Sequence, residues 1–181
     1  KRTVDVVYTP EELALPRESP FGNTNGDLKR HLELSYEDYR QLDMFCNDMG
    51  ILWFASCWDE ESVDFIEQFN LPCYKVASPM LTHRRLLERM RATGRPIILS
   101  TGMSTSEQID EAVGILGQDN LIILQCTSTY PSRIEELNLN VIPALIAKYQ
   151  CPVGYSGHEV GITTTVAAVV LGAKYVERHI T

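Results

Sequence analysis

The stretch Leu121-Ile122-Ile123-Leu124-Gln125-Cys126-Thr127 decides the fold class, because its first four residues are apolar without interruption. A strand with one solvent-exposed face alternates apolar and polar residues, whereas a strand that is buried on both faces is apolar throughout. Residues Pro96–Gly102 repeat the pattern with Ile97-Ile98-Leu99 at their centre. Both stretches predict strands of a parallel sheet that is covered by helices on its two faces.

Similar apolar runs recur along the chain, and their starts are 22, 23, 25, 31 and 22 residues apart. That interval fits one strand, one loop and one helix. Helix caps are predicted between the runs at Asp59 and Thr82, and capping boxes are predicted at Ser35/Asp38 and Thr105/Gln108. The six predicted strands are Ile51–Ser56, Cys73–Ser78, Pro96–Gly102, Leu121–Thr127, Pro152–His158 and Lys174–Thr181.

Parallel strands joined by helices form an open doubly wound sheet or a (β/α)8 TIM barrel. The open sheet usually carries a glycine-rich phosphate turn, and no G-x-G-x-x-G is present. The barrel is therefore favoured. Since six units are not eight, we expect residues 1–181 to be a single, incomplete barrel domain of a longer protein. Residues 1–30, rich in turn signals, are predicted to be an irregular loop region.

The composition narrows the class of partner. The net charge is -8 and the basic residues are scattered, which argues against nucleic acid. No apolar run approaches the roughly 18 residues of a membrane span. The five cysteines form no C-x-x-C pair, and we interpret them as reduced side chains of a cytoplasmic protein.

Polar or ionisable residues end every predicted strand. In a barrel these ends open into one cavity, although any single serine there could simply form a turn. Lys75 is the most informative of these residues, because burying an unpaired ammonium costs free energy. Its side chain must therefore meet an anion, which is either a protein carboxylate such as Glu177 or a substrate phosphate. The strand-end residues are Ser56, Lys75, Ser78, Ser100, Ser128, Ser156, His158, Glu177 and His179.

His158 and His179 end neighbouring strands, so their imidazoles could share one divalent ion such as Mn²⁺, Zn²⁺ or Fe²⁺. The alternative is a pair of hydrogen-bonded structural histidines. Tyr130-Pro131 follows the fourth run and is predicted to form a rigid loop at a substrate wall.

These motifs together resemble the sialic acid synthase family, the phosphoenolpyruvate-condensing barrels that include N-acetylneuraminate synthase and spore-coat polysaccharide synthases. The resemblance extends from about Leu34 to Thr181. It rests on Phe54-Ala55-Ser56, Lys75-Val76-Ala77-Ser78, Ile98-Leu99-Ser100-Thr101-Gly102-Met103, Gln125-Cys126-Thr127-Ser128-Thr129-Tyr130-Pro131, Gly154-Tyr155-Ser156-Gly157-His158 and Val176-Glu177-Arg178-His179-Ile180-Thr181.

The resemblance implies that the six strands are the third to the eighth of the family barrel. It implies a metal-dependent condensation of phosphoenolpyruvate with an N-acetylated amino sugar, giving a nine-carbon 2-keto acid and phosphate. His158 and His179 would hold the metal, Mn²⁺ first, with Mg²⁺ or Co²⁺ as alternatives. Tyr130 and Glu177 would face the sugar or the metal-bound water. Phosphoenolpyruvate would be surrounded by Ser56, Lys75, Ser78, Ser100, Ser128 and Ser156.

The resemblance also implies a homodimer of the full-length protein. The family's first two strands, with a carboxylate and a lysine, and its C-terminal antifreeze-like domain have no counterpart in the chain, so this chain alone is expected to be inactive. Ser128 stands where many members have asparagine, and Gly157 where many have aspartate, which bears on sugar specificity. The alternatives are another phosphoenolpyruvate-dependent aldolase or 3-deoxy-sugar-acid synthase, and a non-catalytic sugar-phosphate-binding relative.

Overall fold

The computed structural model describes residues 1–180, so Thr181 lies outside the described residues. The chain divides into two compact units, Lys1–Pro72 and Cys73–Thr181, and each is described by itself. The prediction of a single incomplete barrel domain stays a prediction.

The first unit begins with regular structure where the sequence predicted an irregular loop at residues 1–30, and that prediction is wrong. Thr9 with Glu12, and Thr24 with Asp27, form capping boxes that satisfy the first N–H groups of two helices. Pro10 occupies a first-turn position, where proline is tolerated. The elements are α1 Val4–Val7, α2 Pro10–Ala14, β1 Pro16–Ser19, β2 Gly22–Thr24 and α3 Asn25–His31, with β1 and β2 antiparallel.

Two further helices complete the first unit, α4 Tyr36–Met49 and α5 Glu60–Ile66. Their N-caps are Ser35, with Asp38 completing the capping box, and Asp59, as predicted. The predicted strand Ile51–Ser56 is not among the strands of the described chain. Leu52 is 81% exposed, whereas a central parallel strand needs both faces covered.

The second unit contains a five-stranded sheet in the order β3-β4-β5-β6-β7, with every neighbouring pair parallel. Helices connect the strands. The elements are β3 Tyr74–Val76, α6 Arg84–Ala92, β4 Ile97–Ser100, α7 Ser106–Leu116, β5 Leu121–Cys126, α8 Val141–Tyr149, β6 Val153–Gly157, α9 Thr163–Val170 and β7 Tyr175–Arg178. Five of the six predicted strands are thus observed. The prediction of six strand–helix units is not confirmed.

The strand interiors pack as their composition predicts. Leu99 and Ile123 are fully buried, and Leu121 and Val153 nearly so. The parallel register pairs Ser100 at the end of β4 with Leu124 in β5, and the ends of β5, β6 and β7 are paired in the same way. The carboxyl ends of the five strands therefore share one edge of the sheet.

Two helix predictions in this unit need correction. The N-cap of α6 is His83, whose Nδ1 accepts from the Leu86 N–H at 3.3 Å, and not Thr82. The sequence of α9 is apolar almost all round and predicts a well-buried helix, but Val166, Val169 and Val170 are exposed. An apolar composition all round a helix does not say which face the sheet covers. The capping box at Thr105 and Gln108 is confirmed.

The Asp59 carboxylate joins the start of α5 to the amino-terminal segment. It accepts from Ser62 N at 2.6 Å and from Thr3 N at 3.2 Å. Burial raises the pKa of this carboxyl, but the hydrogen bonds from Ser62 and Thr3 outweigh burial and hold the pKa below its ordinary value of 3.8. The stability it contributes is therefore present above the unfolded-state pKa and is lost as pH falls through the folded-state pKa.

We predict that Asp59→Asn lowers the free energy of unfolding at pH 7 by about 1 kcal/mol, because the neutral amide accepts these bonds more weakly. The difference from wild type should shrink as pH falls below 3.8. Urea denaturation of the purified protein at several pH values measures both effects, with the exposed Asp48→Asn as control. A difference that stays constant down to pH 3 contradicts the account.

Candidate active site

Two serine hydroxyls converge on Gly102, just beyond the end of β4. The Gly102 N–H donates to Ser78 Oγ at 3.0 Å. A Cβ at Gly102 would lie 2.2 Å from Ser128 Oγ and 2.9 Å from Ser78 Oγ. The structure therefore brings together three strand ends that the sequence singled out, and only a residue without a side chain fits between them.

Two buried hydroxyls at this edge have no hydrogen-bond partner among the described residues, Ser100 Oγ and Ser128 Oγ. A buried hydroxyl left unpaired costs about 1–3 kcal/mol. Such atoms in a polar, strand-end setting are the expected positions for the oxygen atoms of a ligand or for a water molecule. Both residues were predicted to bind substrate.

Lys75 meets a protein carboxylate. Its Nζ lies 3.4 Å from Glu177 Oε1, and the lysine side chain is only 15% exposed. Ser156 Oγ donates to the same carboxylate oxygen at 2.8 Å. The first of the two alternatives for Lys75 is therefore the one in this structure, and it places three predicted site residues within one hydrogen-bonded group.

The two histidines and Tyr130 form a second group. The ring centroids of His158 and His179 are 5.1 Å apart, and Tyr130 lies 5.4 Å from the first ring and 4.9 Å from the second. His158 Nδ1 lies 2.8 Å from the Thr127 carbonyl oxygen. Because a carbonyl only accepts, the Nδ1 of a neutral ring carries the proton and Nε2 keeps a free lone pair.

This tautomer is the one that a metal-binding histidine needs, since one ring nitrogen donates to a carbonyl and the other can bind the ion. Among residues 1–180, however, no group of three or more His, Cys, Asp or Glu side chains is placed to hold a metal. The pair can supply two ligands, and metal binding stays a prediction.

A cavity of about 850 Å³ opens beside the ends of β4 and β5. Ser128 lines it, together with Thr101, Glu136 and Lys148. Lys75 and the two histidines are not among its described lining residues. The cavity therefore adjoins one part of the predicted site. Ser56 belongs to the first unit, and its role stays a prediction.

Sequence reasoning missed an ion pair between the buried Glu159 and the partly buried Arg178. Burial raises the pKa of the Glu159 carboxyl, but hydrogen bonds from Thr164, Tyr155 and Arg178 outweigh burial and lower it. Burial is the larger of two causes that raise the pKa of Tyr155, and the hydrogen bond that its hydroxyl donates to Glu159 is the second. The available signal was that Glu159 directly follows one predicted metal ligand and Arg178 directly precedes the other.

Comparisons with known proteins show what the chain is similar to. The chain is 42% identical over 168 residues to human N-acetylneuraminate-9-phosphate synthase, covering 89% of this chain and 46% of the relative. It is 34% identical to pseudaminic acid synthase of Campylobacter jejuni over 184 residues, covering 95% of this chain and 54% of that protein.

A solved structure shows the same fold. The sialic acid synthetase of Leptospira borgpetersenii superposes with a TM-score of 0.82 at 30% identity, covering 89% of this chain and 58% of that one. The five parallel strands thus form a curled half-barrel sheet like that of a sialic acid synthase.

The model of the NeuB family matches residues 3–181, and the chain belongs to that family. The resemblance drawn from the six motifs is confirmed. The chain spans about half the length of the curated relatives it matches. No helix among residues 1–180 is long and apolar enough to cross a membrane.

We predict that Gly102→Ala destabilises the protein by about 1–3 kcal/mol, because the new Cβ displaces Ser128 and Ser78. Gly114→Ala is the matched control, since a Cβ there meets nothing within 4 Å and a helix interior favours alanine. Thermal denaturation compares the two variants with wild type. Equal melting temperatures for all three would contradict the convergence of hydroxyls on Gly102.

Proposed function

We propose that the protein condenses phosphoenolpyruvate with an N-acetylated amino sugar of the N-acetylmannosamine type. The products would be a nine-carbon 2-keto acid and inorganic phosphate. The observation that carries the proposal is the pair of unpartnered buried hydroxyls, Ser100 and Ser128, at the same sheet edge as Lys75, whose side chain is only partly exposed. Two hydroxyls and a cation suit the anionic oxygens of phosphoenolpyruvate.

The phosphate and carboxylate of phosphoenolpyruvate would be bound by Ser78, Ser100, Ser128 and Ser156. Lys75 would neutralise the phosphate. Because Lys75 is paired with Glu177 in the ligand-free chain, binding of phosphoenolpyruvate would exchange one anionic partner for another. The released Glu177 carboxylate could then accept a proton while Ser156 keeps its orientation.

In the reaction a bond forms between C3 of the enol and the aldehyde carbon of the open-chain sugar, whose oxygen takes up a proton. A water molecule adds to C2 and loses a proton to a base, for which Glu177 is the candidate. The C2–O bond to phosphate then breaks while the C2 hydroxyl gives up its proton to the departing phosphate, which leaves a 2-keto acid and inorganic phosphate. The residues of this chain contribute by holding the two reactants together and by stabilising the negative charge.

His158 and His179 would hold a divalent ion, with Mn²⁺ the first choice and Mg²⁺ or Co²⁺ as alternatives. Two imidazoles, one of them fixed as the Nδ1–H tautomer by Thr127, are a donor set that such ions accept. When bound, the ion would polarise the aldehyde and acidify the attacking water. Tyr130, which lies edge-on to the His158 ring and tilted against the His179 ring, would form the adjoining wall of the sugar site.

The amino sugar itself is left open by the relatives, whose names specify N-acetylneuraminate 9-phosphate and pseudaminic acid. We propose that the full-length protein is a cytoplasmic homodimer. The proposed reaction involves neither a nucleic acid nor a membrane.

The deciding experiment measures phosphate release from phosphoenolpyruvate by the full-length protein, with Mn²⁺ and a panel of N-acetyl amino sugars and their phosphates. We expect release only when both sugar and metal are present, and its loss after a chelator is added. Release with an unacetylated aldose phosphate alone would instead identify a 3-deoxy-sugar-acid synthase. If no phosphate is released with any acceptor sugar, the protein would be a non-catalytic relative.

We predict that Lys75→Met lowers kcat/KM for phosphoenolpyruvate by at least about 100-fold, because it removes a charge-assisted bond to the phosphate. Lys174→Met is the control, since Lys174 precedes β7 and is exposed. Steady-state kinetics with saturating sugar measure both. If Lys75→Met kept wild-type kinetics, Lys75 would not bind the phosphate.

A further inference from the structure

A buried carboxylate directly follows His158 in the chain. The Glu159 side chain is 1% exposed and is paired with Arg178. It also accepts from Tyr155 Oη at 2.8 Å and from the Thr164 hydroxyl. Arg178 Nη2 donates to the backbone carbonyls of Glu159 at 2.6 Å and of Gly161 at 2.8 Å. The guanidinium therefore binds both the carboxylate and the loop that carries it.

The pair connects the two strand ends that bear the histidines. Glu159 follows His158 beyond β6, and Arg178 precedes His179 at the end of β7. The strands pair Gly157 with Arg178. Successive side chains of a strand point to opposite faces, so Arg178 turns away from Glu177, which bonds Ser156 on the other face.

Gly157 makes room for this pair. A Cβ at Gly157 would lie 2.2 Å from Arg178 Nη1 and 2.8 Å from Glu159 Oε2. Sequence reasoning connected this position with sugar specificity. In the structure the side-chain atoms nearest to this position belong to Arg178, Glu159 and Tyr155.

We propose that Glu159 and Arg178 are positioning residues that fix the distance between His158 and His179, and that they act on ion binding through those two rings. This inference rests on the proposed function only in taking the histidine pair as the site of a divalent ion. Neither Glu159 nor Arg178 would touch the ion or the substrate.

The geometry favours positioning over stabilisation alone. A buried ion pair contributes little net stability compared with apolar residues of the same volume. The bonds from Arg178 to the carbonyls of Glu159 and Gly161 define where the chain lies directly after His158. Groups that orient metal ligands without touching the metal typically change affinity by about 10–100-fold when they are mutated.

The test compares Mn²⁺ binding by the full-length wild type, Glu159→Gln, Arg178→Gln and the double variant, using electron paramagnetic resonance of free Mn²⁺. We expect each single variant to bind Mn²⁺ about tenfold more weakly. The double variant should lose no more than either single one, because both act through the same contact. Arg178→Lys, which keeps the charge but not the planar fork, should recover only part of the affinity.

Thermal denaturation of each variant separates loss of affinity from loss of fold. If Glu159→Gln fails to fold, Thr164→Val serves in its place, because it removes one donor and leaves the ion pair intact; we expect about a threefold weaker affinity. Folded variants with wild-type affinity for Mn²⁺ would overturn the proposal, as would a wild type that binds no Mn²⁺.

Catalysis is measured separately by phosphate release. A wild type that binds Mn²⁺ but releases no phosphate with any sugar would refute the proposed function, while the affinities of the variants would still decide the positioning proposal. If both proposals hold, Glu159→Gln at saturating Mn²⁺ should recover most of its kcat, with little change in KM for phosphoenolpyruvate.

Discussion

The parallel register of the five-stranded sheet is the constraint on which the site depends. It places the carboxyl ends of β3 to β7 at one edge, and each strand brings a different polar group there. Lys75 and Glu177 come from the first and last strands of the sheet yet form one ion pair. A sheet that joins its terminal strands through such a contact is curled, as in the sialic acid synthetase it resembles.

The fold could be predicted where the chemistry of a segment is local. Continuous apolar runs predicted β4 and β5, since burial on both faces leaves no polar positions. Local side-chain-to-backbone bonds predicted the helix starts at Ser35, Asp59 and Thr105. The apolar run at residues 51–56 also predicted a strand, and that prediction failed. An apolar run does not show whether neighbouring parts of the protein cover both of its faces. The prediction that α9 is well buried failed for the same reason.

The site could be predicted in part, because barrel geometry assigns strand ends to one cavity whatever their sequence separation. That rule brought His158 and His179 together correctly, at 5.1 Å between ring centroids. It did not find Glu159 and Arg178, whose pairing depends on the register of β6 against β7 and on the absence of a side chain at Gly157. The strand register is not visible as a pattern in the sequence, and a glycine at position 157 does not by itself show which side chains occupy the space beside it.

The most direct measurement is a crystal structure of the full-length protein with Mn²⁺ and phosphoenolpyruvate, with the metal located by anomalous scattering. The account predicts the ion at the ring nitrogens of His158 and His179, and the ligand oxygens at the hydroxyls of Ser100 and Ser128. It also predicts that Lys75 has moved from Glu177 to the phosphate. An ion bound away from both histidines, or a phosphate with no contact to these serines and Lys75, would contradict it.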